Sequence, residues 1–235
     1  MTETENQPIP APATSSLIVE ERHDSELFRV YAGILDGITD HVLLPGRKLT
    51  ESDLCRQMAC SRNTVRGALS LLAHDKIVDL LPNRGAFVHE PDVDETRDVF
   101  ETRMAMEEMV LGMLLALPDL ESRVAPLYVM IEKEESAFDR GDKVGWNRLS
   151  NAFHVELARL LDNDVLTGVM NTLCARTSLI IAVFDNGPVH RTCTYSDHCA
   201  ILDLLVGGKR NRVCKAMRRH LAETLERLER KFEAV

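Results

Sequence analysis

Residues 93–233 carry almost nothing but amphipathic helical patterns, and that single feature fixes most of what the chain can become. Apolar side chains recur every three to four residues, the spacing of one helix face. Helices are predicted near 93–117, 119–139, 142–162, 164–185, 194–207 and 209–233. They break at Pro118, Gly141-Asp142, Asn163, Asn186-Gly187-Pro188 and Gly207-Gly208. Loops this short between helices this long force neighbours to run antiparallel, which gives a compact helical bundle. No internal repeat interrupts the pattern.

The stretch before Pro91 reads differently. Residues 25–40 place Leu27, Tyr31, Ile34, Leu35 and Ile38 at helical spacing behind Ser25, a predicted N-cap. Pro45-Gly46 makes a turn, and Thr50 with Asp53 resembles a capping box that opens a second helix through Leu54 and Met58. Ala59-Cys60-Ser61 is a short break. A third helix follows from Ser61 and buries Val65, Leu69 and Leu72. Ile77-Val78 and Ala86 to Val88 are strand-like and are joined through Pro82-Asn83-Arg84-Gly85. Helix, helix, tight turn, helix, β-hairpin is the order of a winged helix-turn-helix. The expected fold is therefore mainly α: a winged helix-turn-helix with a small β-hairpin wing, then an all-α antiparallel bundle.

A recognition helix must pack one face on its domain and present donors on the other. Val65 and Leu69 suit the first face. Ser61, Arg62, Asn63, Thr64 and Arg66 suit the second, since arginine chelates guanine and asparagine pairs with adenine. The bland reading is a solvated helix face. A resemblance to a known family separates the two. The segment LLPGRKLTESDLCRQMACSRNTVRGALSLLAHDKIVDLLPNRGAFV resembles the DNA-binding domain of the GntR superfamily: a Pro-Gly turn, Leu-x-Glu-x-x-Leu, Ser-Arg-x-x-Val-Arg-x-Ala-Leu, and an Asn-Arg-Gly wing. Thr64 stands where proline is common in the family, and Gly67 where glutamate is. With that resemblance, Arg62 and Arg66 are expected to contact DNA, at least one of them reading a guanine. The resemblance also implies that Arg47, Asn83, Arg84 and Gly85 join Ser61, Asn63 and Thr64 on the DNA surface. A homodimer on an inverted-repeat operator follows.

VFETRMAMEEMV, SNAFHVELARLLDN and SDHCAILDLLVGGKRNRVCKAMRRHLAETL resemble the all-helical FCD ligand domain of the FadR-type branch. Read by themselves, His154, His198 and His220 are three histidines far apart in sequence, and spacing leaves open whether they meet. The resemblance implies that they form a metal site for Zn, Ni or Mn. The family's usual fourth ligand, an Asp one turn before the first histidine, is here Ser150, which leaves three readings open: a metal held by three histidines plus water or effector, a weakly held metal, or an imidazole-lined effector pocket without metal. Arg103, by itself an i,i+4 surface pair with Glu107, falls where the family has an inward arginine able to hold an anionic effector. Ser150, Asn151 and Arg191 are further effector candidates. Trp146, the only tryptophan, reads as structural; Met104, Met106, Met109 and Met113 as core filling; and the run Glu132 to Glu135 as a solvated face.

The resulting organisation is a disordered lead-in over 1–22, a DNA-binding domain over 23–90, and an effector-binding and dimerisation domain over 91–235. The net charge of −9 argues against nonspecific coating of nucleic acid but leaves room for a positive docking face. The six cysteines form no CxxC pair, no apolar run reaches the length of a membrane span, and no secretory signal opens the chain. A reduced cytoplasmic protein is expected. A metal hydrolase built on the three histidines would leave the winged helix unexplained, and no HExxH or HxH unit is present. A helical module that only dimerises would need no polar groups inside the bundle. The chain thus reads as a non-enzymatic transcriptional repressor tuned by a small carboxylate-bearing metabolite, with no membrane partner.

Overall fold

A computed structural model describes residues 25–40, 42–184 and 195–232. The predicted disordered lead-in, Arg191, Cys193 and the break at 186–188 lie outside the described residues. The chain divides into two compact units, the first ending at Pro91 and the second beginning at Asp92.

The first unit opens with α1 (Glu26–Thr39), β1 (Lys48–Leu49), α2 (Glu51–Met58) and α3 (Arg62–His74), and closes with β2 (Val78–Leu81) and β3 (Gly85–Val88). Helix α1 turns Val30, Ile34 and Ile38 inward, where they are fully buried and join Val65, Ala68 and Leu72 of α3 in the core. Ala59 adopts a left-handed backbone at the end of α2, and Ser61 caps α3 by accepting from Thr64 N at 3.1 Å. This is the tight turn between the two helices. A Cβ at Gly67 would stand 2.7 Å from Leu27 Cδ1 of α1, so a larger residue there requires that side chain to shift. The capping box expected at Thr50 takes another form. Thr50 is the N-cap of α2, yet its hydroxyl donates to the Asp53 carboxylate and makes no bond to the backbone of the first turn.

The hairpin is longer than the sequence pattern suggested, and it gains a partner. β3 lies between β1 and β2, both antiparallel to it, with Leu49 opposite Ala86 and Val78 opposite Val88. Two residues are too few for β1 to show a period-2 signal, so sequence reading missed it. Asn83 (φ 60°) and Gly85 (φ 101°) supply the left-handed conformations the wing tip requires.

The second unit comprises α4 (Val93–Leu114), α5 (Leu120–Asp139), α6 (Lys143–Arg159), α7 (Asp164–Phe184), α8 (Tyr195–Val206) and α9 (Arg210–Phe232). Helix α4 packs on α9 and α7, α5 on α6 and α8, and α6 on α7. Their apolar faces form one core that includes Phe100, Leu111, Leu114, Phe153, Leu157, Met170 and Leu202. Among the described residues α7 is long and apolar enough to cross a membrane by length and composition, which runs against the expectation from sequence; half of that window is buried within the bundle. The methionine expectation also needs correction. Met104 is buried, but Met109 and Met113 are 45% and 40% exposed, because they fall outside the stripe of Phe100, Arg103, Glu107, Val110 and Leu114 that faces inward.

Candidate functional site

The core of the second unit contains a cluster of polar groups. His154 of α6, His198 of α8 and His220 of α9 are buried, and their ligating atoms lie within 4.8 Å of one another. Each imidazole has a carboxylate behind it. His198 Nδ1 donates to Glu134 Oε2 at 2.7 Å. His154 Nδ1 lies 2.8 Å from Glu107 Oε1, off the line of a hydrogen bond. His220 Nδ1 is 3.6 Å from Asp197 Oδ2. The Nε2 atoms of His198 and His220 meet at 3.3 Å.

The Glu134 carboxylate accepts, so it keeps the proton of His198 on Nδ1 and leaves the Nε2 lone pair bare. Without an ion that lone pair accepts from His220 Nε2 at 3.3 Å; with His220 in the other tautomer both lone pairs are turned toward a shared cation. Burial holds His154 well below the ordinary imidazole range, with Arg103 and the other two histidines adding to the effect. Burial also lowers His220 to about 4 against the opposing pull of Asp197. Imidazoles with carboxylates behind them are the arrangement that orients and strengthens metal ligands. Nitrogens about 2.05 Å from a tetrahedral zinc stand about 3.3 Å apart, which fits the His198–His220 spacing. The donor set therefore suits a divalent transition ion.

Glu134 is the residue that sequence reading missed. The run Glu132 to Glu135 is not uniformly solvated: Glu132 is exposed, whereas Glu134 is fully buried. The signal was available in the stripe Leu127, Met130, Ile131, Glu134, whose spacing turns Glu134 inward with its apolar neighbours. The i,i+4 pair of Arg103 with Glu107 is likewise not at the surface. Arg103 Nε donates to Glu107 Oε1 at 3.1 Å, and both side chains are almost completely buried. Burial raises the Glu107 carboxyl to about 7, although Arg103 pulls it down.

Beside the histidines lies a cavity of about 40 Å³, and Arg103, Trp146, Ser150, Asn151, His154 and His220 are among its walls. Ser150 and Asn151, both effector candidates, thus face the same space as Arg103. Asn151 Nδ2 donates to Ser178 Oγ at 2.8 Å. Trp146 is both structural and lining. It is buried, packs edge-on to Phe138 with ring centroids 6.0 Å apart, and borders the cavity.

In the first unit, Arg62 and Arg66 of α3 line one groove together with Lys48, Asn83, Arg84 and Gly85. Lys48 and Arg84 both sit over the Phe87 ring, 5.9 and 5.5 Å from its centroid, which gathers positive charge at the wing. Other candidates are already engaged. Arg66 Nε donates to Glu51 at 2.8 Å, Arg47 Nη1 donates to Val42 O at 2.8 Å, and the Thr64 hydroxyl donates to Glu26 at 2.7 Å. Ser61 is spent on its cap, and Asn63 is exposed.

A winged helix-turn-helix followed by a helical bundle defines a class of two-part DNA-binding proteins. Comparison with known proteins makes the assignment specific. Residues 28–88 match the profile of bacterial regulatory proteins of the gntR family, and residues 98–223 match the FCD domain. The chain belongs to the GntR family, in its FCD-bearing, FadR-type arrangement, and is a transcriptional regulator rather than an enzyme. An uncharacterized HTH-type transcriptional regulator from an unstable DNA locus of Streptomyces ambofaciens is 29% identical over 80% of this chain and 78% of its own length. The HTH-type transcriptional repressor RspR of Escherichia coli is 22% identical over 84% of this chain and 86% of its own. Among solved structures, E. coli McbR/YncC superposes with a TM-score of 0.77 at 17% identity, covering 88% of this chain and 99% of its own.

Proposed function

We propose that the chain is a cytoplasmic, homodimeric repressor whose affinity for an inverted-repeat operator is set by a small carboxylate-bearing metabolite in the helical domain. In this reading the lead-in ends near residue 22, residues 23–90 bind DNA, and residues 91–235 bind the effector and dimerise. His154, His198 and His220 hold a divalent ion such as Zn, Ni or Mn. Bound there, the ion supplies a positive centre for an acid's oxygens. Ser150 offers a neutral hydroxyl where the resemblance leads one to expect an Asp, so the charge of such a centre stays uncancelled on that side. Arg103 supplies a second positive group on the same cavity, suited to a carboxylate. The observation that carries the reading is the set of three buried imidazoles, each with a carboxylate beside it, two of which, His154 and His220, line a cavity that also holds Arg103.

DNA is held in this reading by Arg62, Asn63 and Arg66 at base edges. Arg47, Ser61, Thr64, Asn83, Arg84 and Gly85 contact the backbone. Arg66 must exchange Glu51 for a base, and Arg47 must release Val42 O, before either contributes. The test is elemental analysis of the purified chain joined to operator binding. His198→Ala with His220→Ala is expected to abolish bound metal while operator affinity without effector changes by less than about threefold. Full metal content in the double variant would overturn the reading.

A further inference from the structure

Trp146 Nε1 is a buried donor with no acceptor among the described residues, and its indole is 93% removed from solvent while bordering the cavity. An N–H withdrawn from water without a partner costs free energy comparable to a lost hydrogen bond. Such a group persists where something other than the protein satisfies it. Its position along the site is equally informative. Trp146, Ser150 and His154 follow one another at intervals of four on α6 and all line the cavity. Two turns of helix separate the first from the last, a rise of about 12 Å. On α9, His220 and Thr224 line the same cavity at the same interval. The imidazoles of His154 and His220 and the indole of Trp146 therefore stand at different stations along one cavity.

We propose that Trp146 is a specificity-determining residue: its Nε1–H donates to a second oxygen of the ligand, away from the carboxylate held near Arg103 and the histidines. The ligand class is then a short acid with a further oxygen acceptor, a hydroxy acid or a dicarboxylate, and not a monocarboxylate with an alkyl tail. An alkyl end would displace water from the indole N–H and leave that donor buried and unsatisfied, a mismatch that selects against it. This inference rests on the reading of the cavity as an acid-binding site, and it adds a requirement that the reading does not contain.

The test uses malate and butyrate, four-carbon acids with and without further oxygens, titrated into the full-length chain by calorimetry. The parent is expected to bind malate about tenfold or more tightly than butyrate, the scale of one hydrogen bond. Trp146→Phe, which keeps the aromatic body and loses the N–H, is expected to narrow that gap to about twofold through loss of malate affinity. Because the chain has one tryptophan, biosynthetic replacement by benzothienylalanine removes only the N–H and guards against a folding defect in the phenylalanine variant. It should narrow the gap equally. A parent that binds both acids alike, or an N–H-deficient chain that keeps the parent's preference, overturns the role of Trp146 and leaves the acid site standing. A parent that binds neither acid overturns both.

Discussion

At the scale of single residues, the three carboxylates behind the histidines decide what the cluster can hold. Glu134 is fully buried and accepts from His198 Nδ1. Glu134→Gln keeps the shape but weakens its hold on the imidazole, and outer-shell losses of this kind typically cost about 10- to 100-fold in metal affinity. Competition of the metal-loaded variant against a chelator should show that loss, and unchanged affinity would detach Glu134 from the site. Acid stability offers a second check, on the metal-free chain. His220, lowered to about 4, contributes stability that is complete above 6.5 and disappears as pH falls through about 4; His154 acts with the same sign. Glu107, raised from 4.5 to about 7, does the reverse: its contribution is complete below 4.5 and is lost as pH rises through about 7. Between 4.5 and 6.5 these contributions oppose. Glu107→Gln should therefore steepen the fall in stability from pH 6.5 to 4, on the order of 3 kcal/mol across the window. Urea midpoints measured against pH would show it, and superimposable slopes for parent and variant would rule it out.

Among the elements, the proposed function divides DNA recognition between α3 and the wing. Arg62 is exposed on the first turn of α3 and lines the groove together with Arg84 of the wing tip. Replacing Arg62 by Ala should cost about 1–3 kcal/mol on the preferred operator and relax one base position. Arg84→Ala should weaken all sequences alike and lower the salt dependence by about one counterion. Binding measured at several salt concentrations on matched and scrambled operators distinguishes the two, and parent-like behaviour by both variants would mean that another face docks. The helices were legible in the sequence because their apolar stripes repeat over many turns. The polar members of those stripes were harder to see. Glu134 and Glu107 occupy inward positions that hydrophobicity alone assigns to Met or Leu, so an acidic run read as solvent-facing. β1 was invisible because two residues carry no periodicity, and the Thr50–Asp53 contact was misjudged because spacing does not reveal which group a hydroxyl prefers.

For the whole molecule, the order of winged helix and helical bundle followed from pattern and turn chemistry. Convergence of His154, His198 and His220 did not, since three helices distant in sequence must fold before those side chains meet. The resemblance to FCD domains supplied that expectation. One recognition helix makes few contacts, and a symmetric pair doubles them on an inverted repeat. Sedimentation at micromolar concentration should give twice the mass of one chain; a monomer both free and on operator DNA would defeat the dimeric reading. Coupling between the proposed effector site and the operator is reciprocal whatever its route, so DNA must alter effector affinity by the same factor as effector alters DNA affinity.

The small cavity also bears on time. About 40 Å³ is room for roughly three waters, fewer heavy atoms than a four-carbon acid carries, so the walls must move apart to admit one. Helix displacements of that kind take microseconds to milliseconds or longer. Such a gate slows capture and release alike. The regulator would then respond to a metabolite averaged over its own residence time, smoothing brief fluctuations and holding the last signal after the supply has gone.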